Sequence, residues 1–567
     1  MIARAAASLV ALCITASAAL AAAPAKTKPP DPRAWPTAYE ETTMTVKDIL
    51  DGAQRADGTL GEGKHTLRIT YTFHDGGLDG IEREVWSGDD YRVDVTTGPF
   101  VTAEGKSQGQ LWETNENGYT LLKRGIHKRA EANVRALEKP DPGEEVRVLG
   151  RLRAPADVYV LRVAPPDGRA ERRFYDATSL RLLRRETAYL DKLVVASYDD
   201  FRSAHTVTVP YRTTLSDGHP ENDKVWSVES LQIDTPVADA ELAIPGSRRL
   251  PLSMPAGGAT VRLPARIDRW GRVIVRLTVN GRGLDFQLDS GASGIVFDRD
   301  VVRQLGLKTY GRWSSTVAGT FVSGRAIIPK IAIGDVTMSD VVVDALPFSE
   351  QNDERTRLVG LLGFDFIAGC VVKIDYDHGT VDAIPSESFK PPANAFILDT
   401  ILDDSVPMVG MKVNEVIGER FILDTGADEV VVFSGFAARH PAAVDDHSPK
   451  KILSRIFNVV AASGVGGTLT MRLVLLEKMQ LGQVLYPDMI ALVMSGDQPA
   501  FEGEDDDGLI GASALRAFDV YLDYANARVA LVPNSRTRAA TPPPVPAQTP
   551  SPAPAPAPVP VTSPSPQ

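Results

Sequence analysis

Two aspartates sit in nearly the same surroundings, Phe286-Gln287-Leu288-Asp289-Ser290-Gly291-Ala292 and Phe421-Ile422-Leu423-Asp424-Thr425-Gly426-Ala427. Each copy puts one carboxylate at the end of an apolar run, and two carboxylates brought face to face can activate water. Like charges in contact cannot both ionise cheaply, so such a pair keeps one proton and offers a base and an acid together. A single copy would be a turn. The chemistry therefore requires Asp289 and Asp424 on adjoining elements, with Ser290, Gly291, Ala292, Thr425, Gly426 and Ala427 shaping the corners that hold them.

The elements around the two corners are also repeated. Gly360-Leu361-Leu362-Gly363 follows the first copy and Gly508-Leu509-Ile510-Gly511 the second. Lys373-Ile374-Asp375-Tyr376 and Tyr521-Leu522-Asp523-Tyr524 come next, at equal intervals of 375 − 363 = 12 and 523 − 511 = 12 residues. Two related lobes are thus encoded in tandem. In lobe one, residues 273–279 and 284–288 alternate as strands and Asn280-Gly281 marks a tight hairpin between them. The second strand delivers Asp289 into a turn where Gly291 is expected to use backbone angles closed to other residues, and Ile295-Val296-Phe297 returns as a strand. Residues 409–413, 421–424 and 430–433 repeat the pattern in lobe two.

Asp-Ser/Thr-Gly-Ala twice, each followed by Gly-Leu-hydrophobic-Gly, resembles the pepsin and retropepsin aspartic peptidases. The resemblance spans roughly residues 265–533. It implies an all-β architecture of two retropepsin-like β-barrel lobes forming a pseudo-twofold pair, with Asp289 and Asp424 catalytic. It also implies that Ser290 and Thr425 interlock between the lobes. Asp428 looks like the retropepsin form, where lobe one has Ser293. The reaction so implied is peptide-bond hydrolysis on a polypeptide substrate, needing no cofactor and no metal. Ala292 and Ala427 stand where pepsins commonly carry a hydroxyl that hydrogen-bonds the carboxylates. Fewer donors to the ionised form raise the pair's apparent pKa values, so activity is expected nearer neutral pH than for a digestive enzyme of the family.

Hairpins between each aspartate and its Gly-Leu strand are the expected substrate cover, with Val317 and Gly319 at one tip and Gly464 and Gly466 at the other. For lobe one a plain surface hairpin fits the sequence equally well.

The bulk properties bound the rest. With 567 residues the chain has room for several domains. A net charge of −12 disfavours nucleic acid or an anionic membrane as the main partner. Residues 1–25 read as an export signal, with Arg4 ahead of an apolar run and small residues near Ala21 to Ala25, and no later stretch is long and apolar enough to span a bilayer. The expected location is exported, periplasmic before secreted. Without the signal, Cys370 is the only cysteine and reads as a buried small hydrophobe. The scattered histidines form no pair at metal-ligand spacing, and Glu502 to Asp507 reads as a solvated acidic loop.

Residues 26–38 read as a linker, and 39–250 as an antiparallel β domain of short alternating runs such as residues 66–73, 91–95 and 158–163. Glu84-Val85-Trp86, Leu111-Trp112, Arg173-Phe174-Tyr175-Asp176 and Val209-Pro210-Tyr211-Arg212-Thr213 make this domain similar to the periplasmic lipoprotein-carrier fold, a curved sheet around an apolar concavity. That resemblance implies a lipid or peptide ligand; a scaffold sheet fits the same residues. A second linker is expected over 251–264, the lobes over 265–385 and 393–533, and a disordered Pro-rich tail over 541–567. The leading expectation is an exported aspartic endopeptidase. The alternative is a non-catalytic envelope protein that binds lipid or peptide and uses the lobes as a clamp.

Overall fold

The computed structural model describes residues 14–16, 31, 33–60, 65–123, 143–166, 169–189, 192–247, 251–316, 320–348, 357–403, 405–451, 453, 460–464, 467–494 and 506–537. Most of the signal segment, residues 26–30 and 32 of the linker 26–38, the Pro-rich tail, Val317, Gly319, Gly466 and Glu502 to Asp505 lie outside these residues. The described chain is dominated by strands.

The first domain is an antiparallel sheet of 13 strands. Strands from Thr66–Asp75 to Thr120–Leu122 meander outward, and those from Glu145–Leu152 to Lys224–Ile233 meander back. The two runs join where Lys224–Ile233 pairs with Thr66–Asp75. Period-two alternation explains the strands: Leu67, Ile69, Tyr71 and Phe73 of Thr66–Asp75 are all buried on one face. Helix Val46–Asp57 starts on a capping box between Thr45 and Asp48 and lays Ile49 against Leu161, Val163 and Tyr175.

The segment 251–264, expected to be a linker, is sewn into two sheets. Leu252–Ser253 pairs with Met338 and Thr337, and Val261–Arg262 pairs with Ala383 and Asp382. Val261 and Leu263 enter the core, which is why the stretch is held rather than left free.

Each lobe repeats one device. In lobe one the strand Arg282–Leu288, which leads to Asp289, runs parallel to Gly360–Leu362, and the returning strand Ile295–Asp298 pairs antiparallel with that same Gly360–Leu362. In lobe two Val416–Leu423, Gly508–Ile510 and Val430–Val432 do the same. The threaded strand must begin with glycine. A β carbon at Gly360 would lie 2.0 Å from the Val296 carbonyl oxygen, and one at Gly508 2.1 Å from that of Val431. In the sheet of lobe two, Ile14–Ala16 also pairs with Ala462 to Gly464.

A third sheet joins the lobes. Its six strands run Val261–Arg262, Thr380–Ile384, Val371–Asp375, Phe518–Asp523, Arg528–Pro533, Phe396–Asp399, and this order is its own mirror across the middle. Val371–Asp375 and Phe518–Asp523 pair antiparallel with Lys373 opposite Tyr521. Those two residues occupy the same place in their repeats, so the pseudo-twofold axis passes between them. One continuous apolar core, from Val273 and Phe286 to Phe518 and Leu531, runs through both lobes.

Candidate active site

Both aspartates stand on strand-to-turn corners, each fastened to the threaded strand of its own lobe. The Asp289 N–H donates to the Leu362 carbonyl at 3.1 Å and the Asp424 N–H to the Ile510 carbonyl at 3.0 Å. Both side chains are fully buried. They belong to one site: a β carbon built on Gly426 would stand 2.6 Å from the Asp289 Cγ, and one on Gly291 2.6 Å from the Asp424 Cγ. Each carboxylate rests on the glycine of the opposite lobe.

The expected left-handed backbone at Gly291 is not found. Neither Gly291 nor Gly426 has a positive φ. What excludes a side chain there is the facing carboxylate.

Ser290 and Thr425 interlock reciprocally across the lobes. The Ser290 N–H donates to Thr425 Oγ1 at 3.0 Å and the Thr425 N–H to Ser290 Oγ at 2.9 Å. Ser290 Oγ in turn donates to the Leu423 carbonyl at 2.6 Å, and Thr425 Oγ1 to that of Leu288 at 3.1 Å. Four buried bonds thereby fix the two corners relative to one another, where few side-chain rotamers would satisfy them all.

Hydrogen bonding to the carboxylates is one-sided. Asp289 Oδ1 accepts from the Gly291 N–H at 2.8 Å, while Asp424 Oδ1 accepts from Gly426 at 2.7 Å and Ala427 at 3.2 Å. Neither Oδ2, though buried, receives a bond from an N–H or hydroxyl of the described residues. Ala292 and Ala427, both buried, supply no hydroxyl. Burial, then the charge of Asp424, raises Asp289 well above the ordinary carboxylate range. Burial also pushes Asp424 up to about 6, against the contact with Asp289 and the backbone donors that hold it down. The two side chains are within hydrogen-bonding reach of each other, a contact that one retained proton makes attractive.

Both lobes match an aspartyl protease family model. The match covers residues 275–366 and 409–514, which contain both aspartates and both threaded strands. No curated protein matches this chain. Among solved structures, an aspartic proteinase from Irpex lacteus is similar over 50% of this chain and 99% of its own, at 14% identity and a TM-score of 0.31. A LolA superfamily protein from Nitrosomonas europaea is similar over 35% of this chain and 98% of its own, at 13% identity and a TM-score of 0.27. A putative outer membrane lipoprotein-sorting protein domain from Vibrio parahaemolyticus covers 34% of this chain and 94% of its own, at 11% identity and a TM-score of 0.25.

Around the dyad of the protease-like lobes lie residues that the motif alone does not reveal. Gln287 donates from Nε2 to the Gly426 carbonyl at 2.8 Å, tying lobe one to the corner of lobe two. Its counterpart is Ile422, and that polar-for-apolar departure within the repeat was the available signal. The Tyr524 hydroxyl donates to the Ser290 carbonyl at 3.3 Å. Phe364 lies 5.9 Å from the Tyr524 ring and 5.4 Å from Tyr119 of the first domain. Tyr119 also donates to the Asp365 carbonyl at 2.6 Å. A packed line therefore runs from the first domain to the corner that bears Asp289.

Asp428 is mostly buried, and burial pushes it up to about 7, with Arg272 acting in the opposite direction. Gly464 ends the strand Val460–Gly464, which pairs with Gly467–Leu481. Cys370 is buried. Among the described residues, no group of three or more His, Cys, Asp and Glu could hold a metal ion, and no helix is long and apolar enough to cross a membrane.

Proposed function

We propose that this chain is an exported aspartic endopeptidase that hydrolyses peptide bonds in extended polypeptide held between its lobes. The observation that carries the reading is the reciprocal packing of Asp289 on Gly426 and of Asp424 on Gly291. Such contact brings two carboxyl groups to one place and obliges them to share a proton. The extra backbone donor on Asp424 favours it as the carboxylate, leaving the proton on Asp289. Asp424 would then take a proton from a water between the pair while Asp289 donates to the carbonyl oxygen of the scissile peptide, giving a tetrahedral diol without a covalent enzyme intermediate. The roles of Ser290, Gly291, Thr425 and Gly426 are to hold the pair at this separation, and those of Ala292 and Ala427 to leave its outer oxygens free.

Export, with the periplasm as destination, is proposed from the apolar leader in residues 1–25. The deciding experiment is a peptide-library digest by wild type beside Asp424→Ala. Cleavage at defined bonds that is lost in the variant is the expected result. A folded wild-type chain that cleaves nothing would turn the reading to a non-catalytic clamp.

A further inference from the structure

The hairpin expected to cover substrate in lobe one is built from Thr309–Thr316 and Thr320–Ile333. Thr320–Ile333 is paired on its far side with Val336–Leu346, but Thr309–Thr316 is the last strand of its sheet. A terminal strand presents backbone groups with no partner in its own sheet. Here the first domain supplies the partners. Asn222, at the end of the short turn Pro220–Asn222, accepts the Ser314 N–H at Oδ1 and donates from Nδ2 to the Ser314 carbonyl, both at 2.7 Å. One carboxamide thus makes the pair of bonds that a neighbouring strand would make. The Arg312 N–H donates to the Gly76 carbonyl at 2.8 Å, and the Ser314 hydroxyl bonds the Glu221 carboxylate.

Side chains reinforce this edge. The strand register breaks between Tyr310 and Trp313, and such a bulge re-aims the residues beside it. The Trp313 indole donates to Asp75 Oδ1 at 3.1 Å and lies against Gly76, where a β carbon would come within 2.3 Å of the ring. Arg325 on the opposite strand pairs with Glu116 at 2.5 Å and holds its guanidinium over the Trp313 and Phe100 rings, at 5.0 and 5.7 Å. Asp75, Gly76, Phe100, Glu116, Glu221 and Asn222 all belong to the first domain.

We propose that the first domain is a splint for this hairpin, and that Asn222 and Trp313 are positioning residues through which its docking sets the affinity of the cleft for peptide. The inference rests on the peptidase reading. Pairing with Val336–Leu346 reaches only to Gly324, so the part of the hairpin that carries Trp313 and Ser314 is two strands wide; such a ribbon with a bare edge is only marginally ordered by itself, and ordering it on substrate would be charged against binding. The splint orders the hairpin before peptide arrives. Its contacts lie on the stem and touch neither carboxyl group, so their loss weakens ground-state and transition-state binding alike and appears in KM.

The test uses the full chain and a peptide found in the library digest. Asn222→Ala and Trp313→Ala are expected to raise KM roughly 5- to 30-fold with kcat held within about 2-fold. Amide hydrogen exchange across 320–333 should quicken in both. Trp313→Phe, which keeps a ring on Gly76 beneath Arg325, should restore most of the wild-type KM. If Trp313→Ala does not fold, Asn222→Ala decides. An unchanged KM overturns the inference, whatever the exchange does, and so does a fall in kcat at constant KM. If wild type cleaves no peptide, the peptidase reading fails separately. The exchange measurement then decides alone whether the first domain holds the hairpin: faster exchange upholds it, and unchanged exchange overturns it.

Discussion

Gly291 and Asp424 touch across the lobe interface so closely that the smallest side chain cannot be added to the first without displacing the second: the β carbon would stand 2.6 Å from the carboxyl carbon and 2.8 Å from each oxygen. Gly426 bears the same relation to Asp289. Neither glycine has the positive φ that disfavours a side chain, so Gly291→Ala and Gly426→Ala should fold. The facing carboxylate must move, and a displacement of that size at a reacting centre is expected to lower kcat/KM by roughly 10²-fold. Thermal melts beside kinetics check this; full activity in either variant would mean that the pair tolerates being spread.

Asp289→Asn and Asp424→Asn should each reduce turnover by roughly 10³-fold or more, since each removes one of the two proposed proton-transfer partners. Asp424→Asn should melt at or above the wild-type temperature, because a neutral amide there replaces the buried charge, whereas Asp289→Asn replaces a carboxyl that is already neutral and should melt near wild type. Turnover and melting are measured on the same preparations. Retention of turnover by either variant would exclude a two-carboxylate mechanism.

The pH profile follows from the raised values. As pH falls through about 6, Asp424 takes up a proton and the proposed base is lost. As pH rises beyond that, Asp289 gives up its own, higher-lying proton and the acid is lost. The plot of kcat/KM against pH should therefore have its acid limb near 6 and its maximum toward neutrality. A maximum below pH ~4 would contradict the donor-poor environment around Ala292 and Ala427.

Thr425→Val keeps the volume of the interlocking residue and removes its oxygen. The buried Ser290 N–H and Leu288 carbonyl would lose their partners, a cost of about 2–4 kcal/mol in unfolding free energy. Thr425→Ser retains the oxygen and should cost far less. Denaturant titration separates the two, and equal stabilities would mean that the interlock contributes little.

Asp365 links pH to stability. Burial pushes its carboxyl up to about 7, against the Asn117 and Asn115 amides, which hold it down. A carboxyl raised on folding contributes its full stability below its unfolded value of about 3.9 and loses it as pH rises through the folded value. Wild type should therefore lose stability between pH ~4 and ~7, and Asp365→Asn should flatten that slope and be the more stable at pH ~8 by on the order of 2–4 kcal/mol. Parallel slopes for the two proteins would remove Asp365 as the source.

The dyad was legible because it is written twice. Asp289 and Asp424, the threaded strands after them and the equal 12-residue intervals beyond could be read as one pattern, and alternation exposed the strands of the first domain. The reason for glycine at 291 was not legible, since a turn glycine and a glycine pressed by a distant carboxylate look the same in one dimension. Asn117, Asn222 and Asn115 stand in short polar stretches that read as turns, yet Asn117 forks onto Val342 and Asn222 onto Ser314. Residues 251–264 looked like a spacer because two-residue strands carry no period. Contacts between domains leave little trace in local sequence.

The central pair of the sheet that unites the lobes shows what fusing two copies into one polypeptide permits. In a homodimer a residue on the symmetry axis must face itself, so a lysine there would confront a second ammonium. Here Lys373 meets Tyr521, with its ammonium 5.8 Å from the centre of the phenol ring. Covalent union released that position from self-complementarity, and attraction replaced what identity would have made repulsion.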